Sequence, residues 1–200
     1  MKILLTGFEP FGGSNVNPSL QIVRSIATSP PMDIELQIAM LPVDRITGPS
    51  TAVVAVESFR PDVVLCLGQA TGRDALSIER VAINLMDYSL ADNAGVVVTD
   101  EPIILNGPAA YFVSVPVRNL LSAVHAAHVP ARLSTTAGTF LCNQVLYVLL
   151  HHVAVNTLQT RVGFIHVPAL PEQVVEQTVP SMSLETMITG VRAALECLAH

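Results

Sequence analysis

Apolar residues along this chain collect in short continuous runs, set between polar segments rich in Gly, Pro, Asn and Asp. The run over residues 2–7 reads as a first buried strand and ends in a glycine-rich loop, residues 7–13. Asn17-Pro18-Ser19 then opens a helix. Asn is a good cap, and Pro suits the first helical position because its missing N–H costs nothing there. Leu20, Ile22, Val23 and Ile26 continue an apolar face. Residues 34–43 predict a second strand, and a helix follows to about Phe59. After Pro61-Asp62, the unbroken run Val63-Val64-Leu65-Cys66-Leu67-Gly68 has the pattern of a central parallel strand, buried on both faces. Residues 77–85 predict another strand with Glu79 inside it. The polar stretch 87–107 predicts short strands and turns, and 109–128 is mostly helix. A strand over 131–136, a strongly apolar helix over 140–155, a last strand over 161–168 and an amphipathic helix over 183–199 complete the pattern.

Strands alternate with helices, with neither internal repeats nor a long linker. The chain therefore reads as one α/β domain over residues 1–200, with a mainly parallel sheet covered by helices on both faces. Ligands of such sheets bind beyond the carboxyl ends of the strands. Four loops fall there: residues 7–17, 68–73, 138–143 and the segment after His166.

Composition sharpens this picture. Half of the 200 residues are hydrophobic and only 13% are charged, which excludes a disordered chain. Aromatic residues make up 4% and Trp is absent, so the core is aliphatic. The net charge of -6 has no Lys/Arg cluster, which argues against a nucleic-acid partner. No segment reaches the roughly 20 apolar residues that span a bilayer, and the apolar start is only strand-length, not a signal peptide. A cytoplasmic protein is expected. Its three cysteines, Cys66, Cys142 and Cys197, are too few and scattered for a disulfide framework.

Three residues invite a chemical reading. Cys142 lies where a strand has ended and a long helix begins. A helix N-terminus carries roughly half a positive charge and free N–H groups. Both favour a thiolate, the nucleophilic form, and the N–H groups suit an oxyanion. The plain alternative is a small buried core residue. His166, in Phe164-Ile165-His166-Val167, is a polar ring among apolar strand residues and needs a partner or a role. It lies at the strand end where Cys142 is also expected, so it is either a satisfied core His or a base for the thiol. Glu79 is an acid inside an apolar strand. It either orients the imidazole or forms a surface ion pair with neighbouring Arg80.

Phe8 and Phe11, in the first loop, suggest an apolar ligand pocket or a plug at the end of the core. Gln69 follows the central strand as a polar ligand contact or a turn residue. The Gly-rich loop matches no phosphate-binding pattern. His125 and His128 lack companion ligands, so no metal site is expected.

Taken together, these segments resemble pyroglutamyl-peptidase I, a cysteine peptidase family. The matching stretches are GFEPFGG with Asn17-Pro18-Ser19, GQATGR at 68–73, IERVAIN at 78–84, DNAG at 92–95, GPAAYF at 107–112, AGTFLCN at 137–143 and GFIHVPALPEQ at 163–173. They run in the family's order over nearly the whole chain. The resemblance implies an α/β/α sandwich with a mainly parallel, mixed central sheet. It also implies a catalytic triad of Cys142, His166 and Glu79, no cofactor, and a homotetramer in the cytoplasm. The implied substrates are peptides with N-terminal pyroglutamate. The implied pocket is Phe8, Phe11, Phe140, Leu141 and Leu90, with Asn17 and Gln69 as polar contacts. An uncharged lactam ring needs apolar walls and a few hydrogen bonds, and no acid to hold an ammonium. One departure stands out: where the family often carries an Arg before the Ile of DARIPDN, this chain has Ser89, and Ala91 stands in place of the Pro.

The reading is thus a hydrolase that forms a thioester on Cys142. Its rivals are an amidase for another lactam or acylamino substrate, and a binding homologue in which Ser89 marks lost activity. A nucleoside-phosphorylase-like enzyme is a rival at the level of fold alone, and the chain shows no basic phosphate cradle.

Overall fold

The computed structural model describes residues 1–199. Six strands build the main sheet: β1 (Lys2–Phe8), β2 (Glu35–Leu41), β3 (Val63–Gln69), β4 (Leu76–Glu79), β7 (Ala131–Ser134) and β8 (Arg161–Val167). Their order is β2-β1-β3-β8-β4-β7. All neighbours are parallel except β4 and β8, so the sheet is mainly parallel and mixed. Helices α1 (Pro18–Thr28), α3 (Val117–Ala126) and α5 (Leu184–Ala199) cover one face, and α2 (Thr47–Phe59) and α4 (Leu141–Val155) cover the other. This is the expected three-layer α/β/α arrangement.

The twofold side-chain alternation of a strand sorts the core into two clusters. Ile3, Leu5, Val63, Leu65, Leu67, Ile78 and Ile165 pack with α1, α3 and α5. Leu4, Val64, Cys66, Val162 and Phe164 pack with α2 and α4. Helix α1 starts as the sequence predicts: Asn17 is the N-cap, its side chain accepts from the Ser19 N–H at 3.0 Å, and Pro18 opens the first turn.

Two sequence expectations fail for identifiable reasons. The single strand over residues 77–85 is two: β4 in the main sheet, and β5 (Val81–Ile83) in a separate hairpin with β6 (Ala110–Phe112). The break is at exposed Arg80, whose N–H bonds the Ser134 carbonyl while its own carbonyl accepts from Val113. The chain thereby leaves one sheet for the other. The helix over 109–128 begins only at Val117, because residues 110–112 pair with β5 and Pro116 occupies the N-cap. Pro there disfavours helix in the residue before it.

The polar stretch 87–107 contains no strand among the described residues beyond the isolated bridge of Met86 with Glu101. Side chains hold it instead. Buried Asp92 accepts from the N–H groups of Arg45, Ala94 and Val96. Asn93 donates to Glu9, which also accepts from the Val43 N–H. These bonds tie three loops together at the carboxyl end of β1. Among the described residues, no helix is long and apolar enough to cross a membrane.

Candidate active site

β3 and β8 run side by side to the same end of the sheet, with Gly68 opposite His166. Strand β4 enters antiparallel beside β8 and places Ser77 opposite His166. Alternation along β4 then sends Leu76 and Ile78 into the core under α3 and α5 and turns Ser77 and Glu79 to the opposite face, the one that carries His166. Glu79 is fully buried and His166 only 3% exposed. The Nδ1 of His166 meets Oε1 of Glu79 at 2.8 Å. The hydrogen-bond need of a buried imidazole is thus met by a carboxylate and not by the backbone.

The same Oε1 accepts from Nη1 of Arg73 at 2.7 Å, and Arg73 also donates through Nη2 to the Thr136 carbonyl at 2.9 Å. Of the two alternatives for Glu79, the contact with the imidazole is present, and the guanidinium that pairs with the carboxylate is that of Arg73, not of the adjacent Arg80. Oε2 of Glu79 is buried without a hydrogen-bond partner among the described residues.

Cys142 sits in the first turn of α4, after extended Phe140. The first helical bond runs from the Gln144 N–H to the Phe140 carbonyl at 3.1 Å, so the N–H groups of residues 141–143 precede the intrahelical ladder. The helix is clamped here. Buried Asn143 accepts from the Ile83 N–H and donates to the Ile83 and Leu85 carbonyls. Gln144 donates to the Arg45 carbonyl and accepts from the Tyr88 hydroxyl at 2.6 Å. Gly138, with φ of 77°, turns the preceding chain as an L side chain would resist.

The thiol lies directly over β3. A Cβ on Gly68 would fall 2.6 Å from Sγ of Cys142 and 2.8 Å from the Phe164 ring. Only a residue without a side chain admits the sulfur at this point.

Charge states differ from the first expectation. A helix N-terminus favours a thiolate, but burial, reinforced by the negative charge of Glu79, pushes the Cys142 thiol up to about 12. Burial also lowers the pKa of His166 from its ordinary value, against the opposing pull of Glu79. At neutral pH the pair is thus a thiol beside a neutral imidazole.

Cys142 and His166 open into one cavity of about 480 Å³. Phe8, Phe11, Val43, Leu90, Phe140 and Leu141 supply its apolar wall. Tyr88 supports it from behind, edge-on to Phe140 with ring centroids 4.8 Å apart. The loop bearing Ser89 and Leu90 is pinned by the Thr139 hydroxyl, which donates to the Asp87 carbonyl. Asn17 and Gln69 also line the cavity. Both are engaged: Asn17 with Ser19 and the Glu9 carbonyl, Gln69 with Thr71 and Gln173. Every residue expected at the site therefore borders it or, as Glu79 does, contacts a residue that does.

The segment after His166 borders an adjoining concavity of about 590 Å³ through Gln173, Val174 and Gln177. A larger concavity, about 740 Å³, opens where β3 and β8 begin, against Pro61, Asp62 and Arg161, and is lined by no cysteine among the described residues. Among the described residues, no group of His, Cys, Asp and Glu is arranged to hold a metal.

Three participants were not singled out from sequence: Arg73, Val43 and Thr139. For Arg73 a signal was present. It is an arginine closing a short Gly-containing loop after the central strand, six residues before a strand-embedded Glu, in a chain with only 10 basic residues.

Comparison with known proteins bears on all of this. The pyroglutamyl peptidase family matches residues 1–200. The pyrrolidone-carboxylate peptidase of Vibrio vulnificus is 50% identical over 190 residues, covering 95% of this chain and 89% of the relative. That of Levilactobacillus brevis is 44% identical over 201 residues, covering 99% and 97%. Among solved structures, pyroglutamyl peptidase I of Bacillus amyloliquefaciens superposes with a TM-score of 0.96 at 35% identity, over 99% of this chain and 96% of the other. A mutant pyrrolidone carboxyl peptidase of Pyrococcus furiosus gives 0.95 at 38% identity, over 99% and 98%.

Proposed function

This chain belongs to the pyroglutamyl peptidase family, and we propose that it hydrolyses the bond after an N-terminal pyroglutamyl residue through Cys142, His166 and Glu79. The observation that carries the proposal is the convergence of a thiol and a carboxylate-bound imidazole on one apolar cavity. Phe8, Phe11, Phe140, Leu141 and Leu90 enclose the lactam ring. Asn17 and Gln69 lie where its amide needs polar neighbours.

Because Nδ1 of His166 is committed to Glu79, the other ring nitrogen takes the thiol proton. With the thiol pushed up by burial, that transfer accompanies attack and does not precede it. Sγ bonds to the pyroglutamyl carbonyl carbon, and the N–H groups at the start of α4 hold the oxyanion. The peptide amine leaves with the proton from His166, giving a thioester. Water, deprotonated by His166, adds to the thioester, and collapse releases pyroglutamate and the thiol.

Its setting follows the same reading: one catalytic domain over residues 1–200, working in the cytoplasm as a homotetramer without a cofactor. Light scattering checks the assembly. A pyroglutamyl-amide reporter tests the activity beside prolyl and free glutamyl reporters. Only the first should be cleaved by the wild type, and none by Cys142→Ala. Full activity in that variant overturns the nucleophile; preference for another reporter overturns the substrate.

A further inference from the structure

We propose that Arg73 is a positioning residue of the reaction: it shares the carboxylate oxygen that holds His166, and so limits how strongly Glu79 draws a proton onto the imidazole. The inference rests on the reading of His166 as the base. Its ground is a shared acceptor. Oε1 of Glu79 receives Nδ1 of His166 at 2.8 Å and Nη1 of Arg73 at 2.7 Å. The Glu79 side chain is fully buried, and that of Arg73 is 23% exposed. A buried carboxylate bound only to the imidazole favours the imidazolium, which cannot accept the proton of Cys142. A guanidinium on the same oxygen balances that charge and leaves the ring neutral.

The second contact of Arg73, to the Thr136 carbonyl at 2.9 Å, fixes the guanidinium from the loop that leads to Cys142. One side chain thus joins the loop after β3, the acid on β4 and the approach to α4. Among the described residues, Arg73 is the one Lys or Arg lining the cavity; Ser89, which also lines it, brings no charge.

The groups around His166 are few. Glu79 bonds it from β4 and Cys142 shares its cavity from the start of α4. The ring of Phe164 on β8 packs tilted against it, 4.7 Å between centroids, and Asp87 lines the cavity from the loop after β5. The positive charge of Arg73 acts on His166 to lower its pKa, and on Cys142 to lower the thiol's, against Glu79 in both cases. It therefore works in the direction the chemistry needs at both ends of the proton transfer.

The test is Arg73→Gln, with Arg73→Met as a second variant of similar length and Arg73→Lys as the charge-preserving control. The His166 ring is titrated by NMR in each, a readout independent of turnover. The midpoint should rise by about one unit in the Gln and Met variants and return toward wild type in Lys. The acidic limb of kcat/KM for the pyroglutamyl reporter should rise with it. KM should change little, because Arg73 does not enclose the ring. The alkylation rate of Cys142 by iodoacetamide at fixed mildly alkaline pH should fall severalfold, because the thiol loses a positive charge that lowers its pKa. A His166 midpoint that stays put in folded Gln or Met variants overturns the inference. A wild type that leaves the reporter intact while the midpoint moves would instead overturn the proposed function and leave the Arg73–His166 coupling standing.

Discussion

The two faces of the central sheet are made by the same strands and do different work. Leu67 precedes Gly68 on β3, Ile165 precedes His166 on β8, and Ile78 precedes Glu79 on β4. The first member of each pair is buried in the aliphatic cluster under α1, α3 and α5. The second faces the side of α4, where it makes room for a thiol, carries an imidazole or holds that imidazole by a carboxylate. One step along a strand changes the face, so three neighbouring residue pairs divide the aliphatic core from the proposed site. The apolar face needs only volume and hydrophobicity. The other holds a buried imidazole and a buried carboxylate that are hydrogen-bonded to each other.

Substitutions across each pair test this division. The largest contrast is expected between Glu79→Gln and Ile78→Ala. The amide keeps the shape but not the charge behind His166, and kcat/KM should fall on the order of a thousandfold or more in steady-state assays. Ile78→Ala should instead cost about 2–5 kcal/mol in urea unfolding while leaving kcat/KM of the folded protein near wild type. Equal losses of activity on the two sides would break the comparison. Next is Gly68→Ala beside Leu67→Ala. A methyl 2.6 Å from Sγ must displace Cys142, and a misplaced nucleophile should lose about 100-fold in kcat/KM. Leu67→Ala should register in stability alone.

A smaller effect should come from the cavity wall. Phe140→Ala removes one side of the ring enclosure and should raise KM on the order of tenfold, with kcat less affected. The smallest effect is a pH dependence of stability. His166 is lowered in the fold, so the unfolded chain binds more protons between the folded and unfolded pKa values. Stability should therefore fall as pH drops below about 6.5 toward the folded value. Cys142 is raised to about 12, so stability should also decline as pH rises above the ordinary thiol range. Urea titrations across pH should show the acid-side slope reduced in His166→Gln and the alkaline-side slope reduced in Cys142→Ala.

Much of this was legible in the sequence where one local signal decides. Asn17-Pro18 marks a helix start by its own chemistry, and the short apolar run through Cys66 has the pattern of a deeply buried strand. The thiol and the imidazole were visible as polar groups at a helix start and a strand end, and the acid as a charge inside an apolar strand. What escaped depended on distant partners. The run 77–85 looks continuous, and only the competing hairpin partner at residues 110–112 divides it at Arg80. Arg80 stands next to Glu79 in sequence, yet alternation points them apart and the loop returns Arg73 to the carboxylate. The raised pKa of Cys142 is equally non-local: the helix end is visible in the sequence, whereas burial depends on how β3 and β8 meet beneath the thiol.

The most direct measurement is the site of the proposed covalent intermediate. The enzyme is mixed with a pyroglutamyl ester or amide, quenched in acid within the first turnovers, digested and weighed by mass spectrometry. The account predicts one pyroglutamyl group in thioester linkage on the peptide carrying Cys142, and none when Cys142→Ala is treated alike. A pyroglutamyl adduct on any other residue, or reporter hydrolysis that continues in Cys142→Ala, would contradict it.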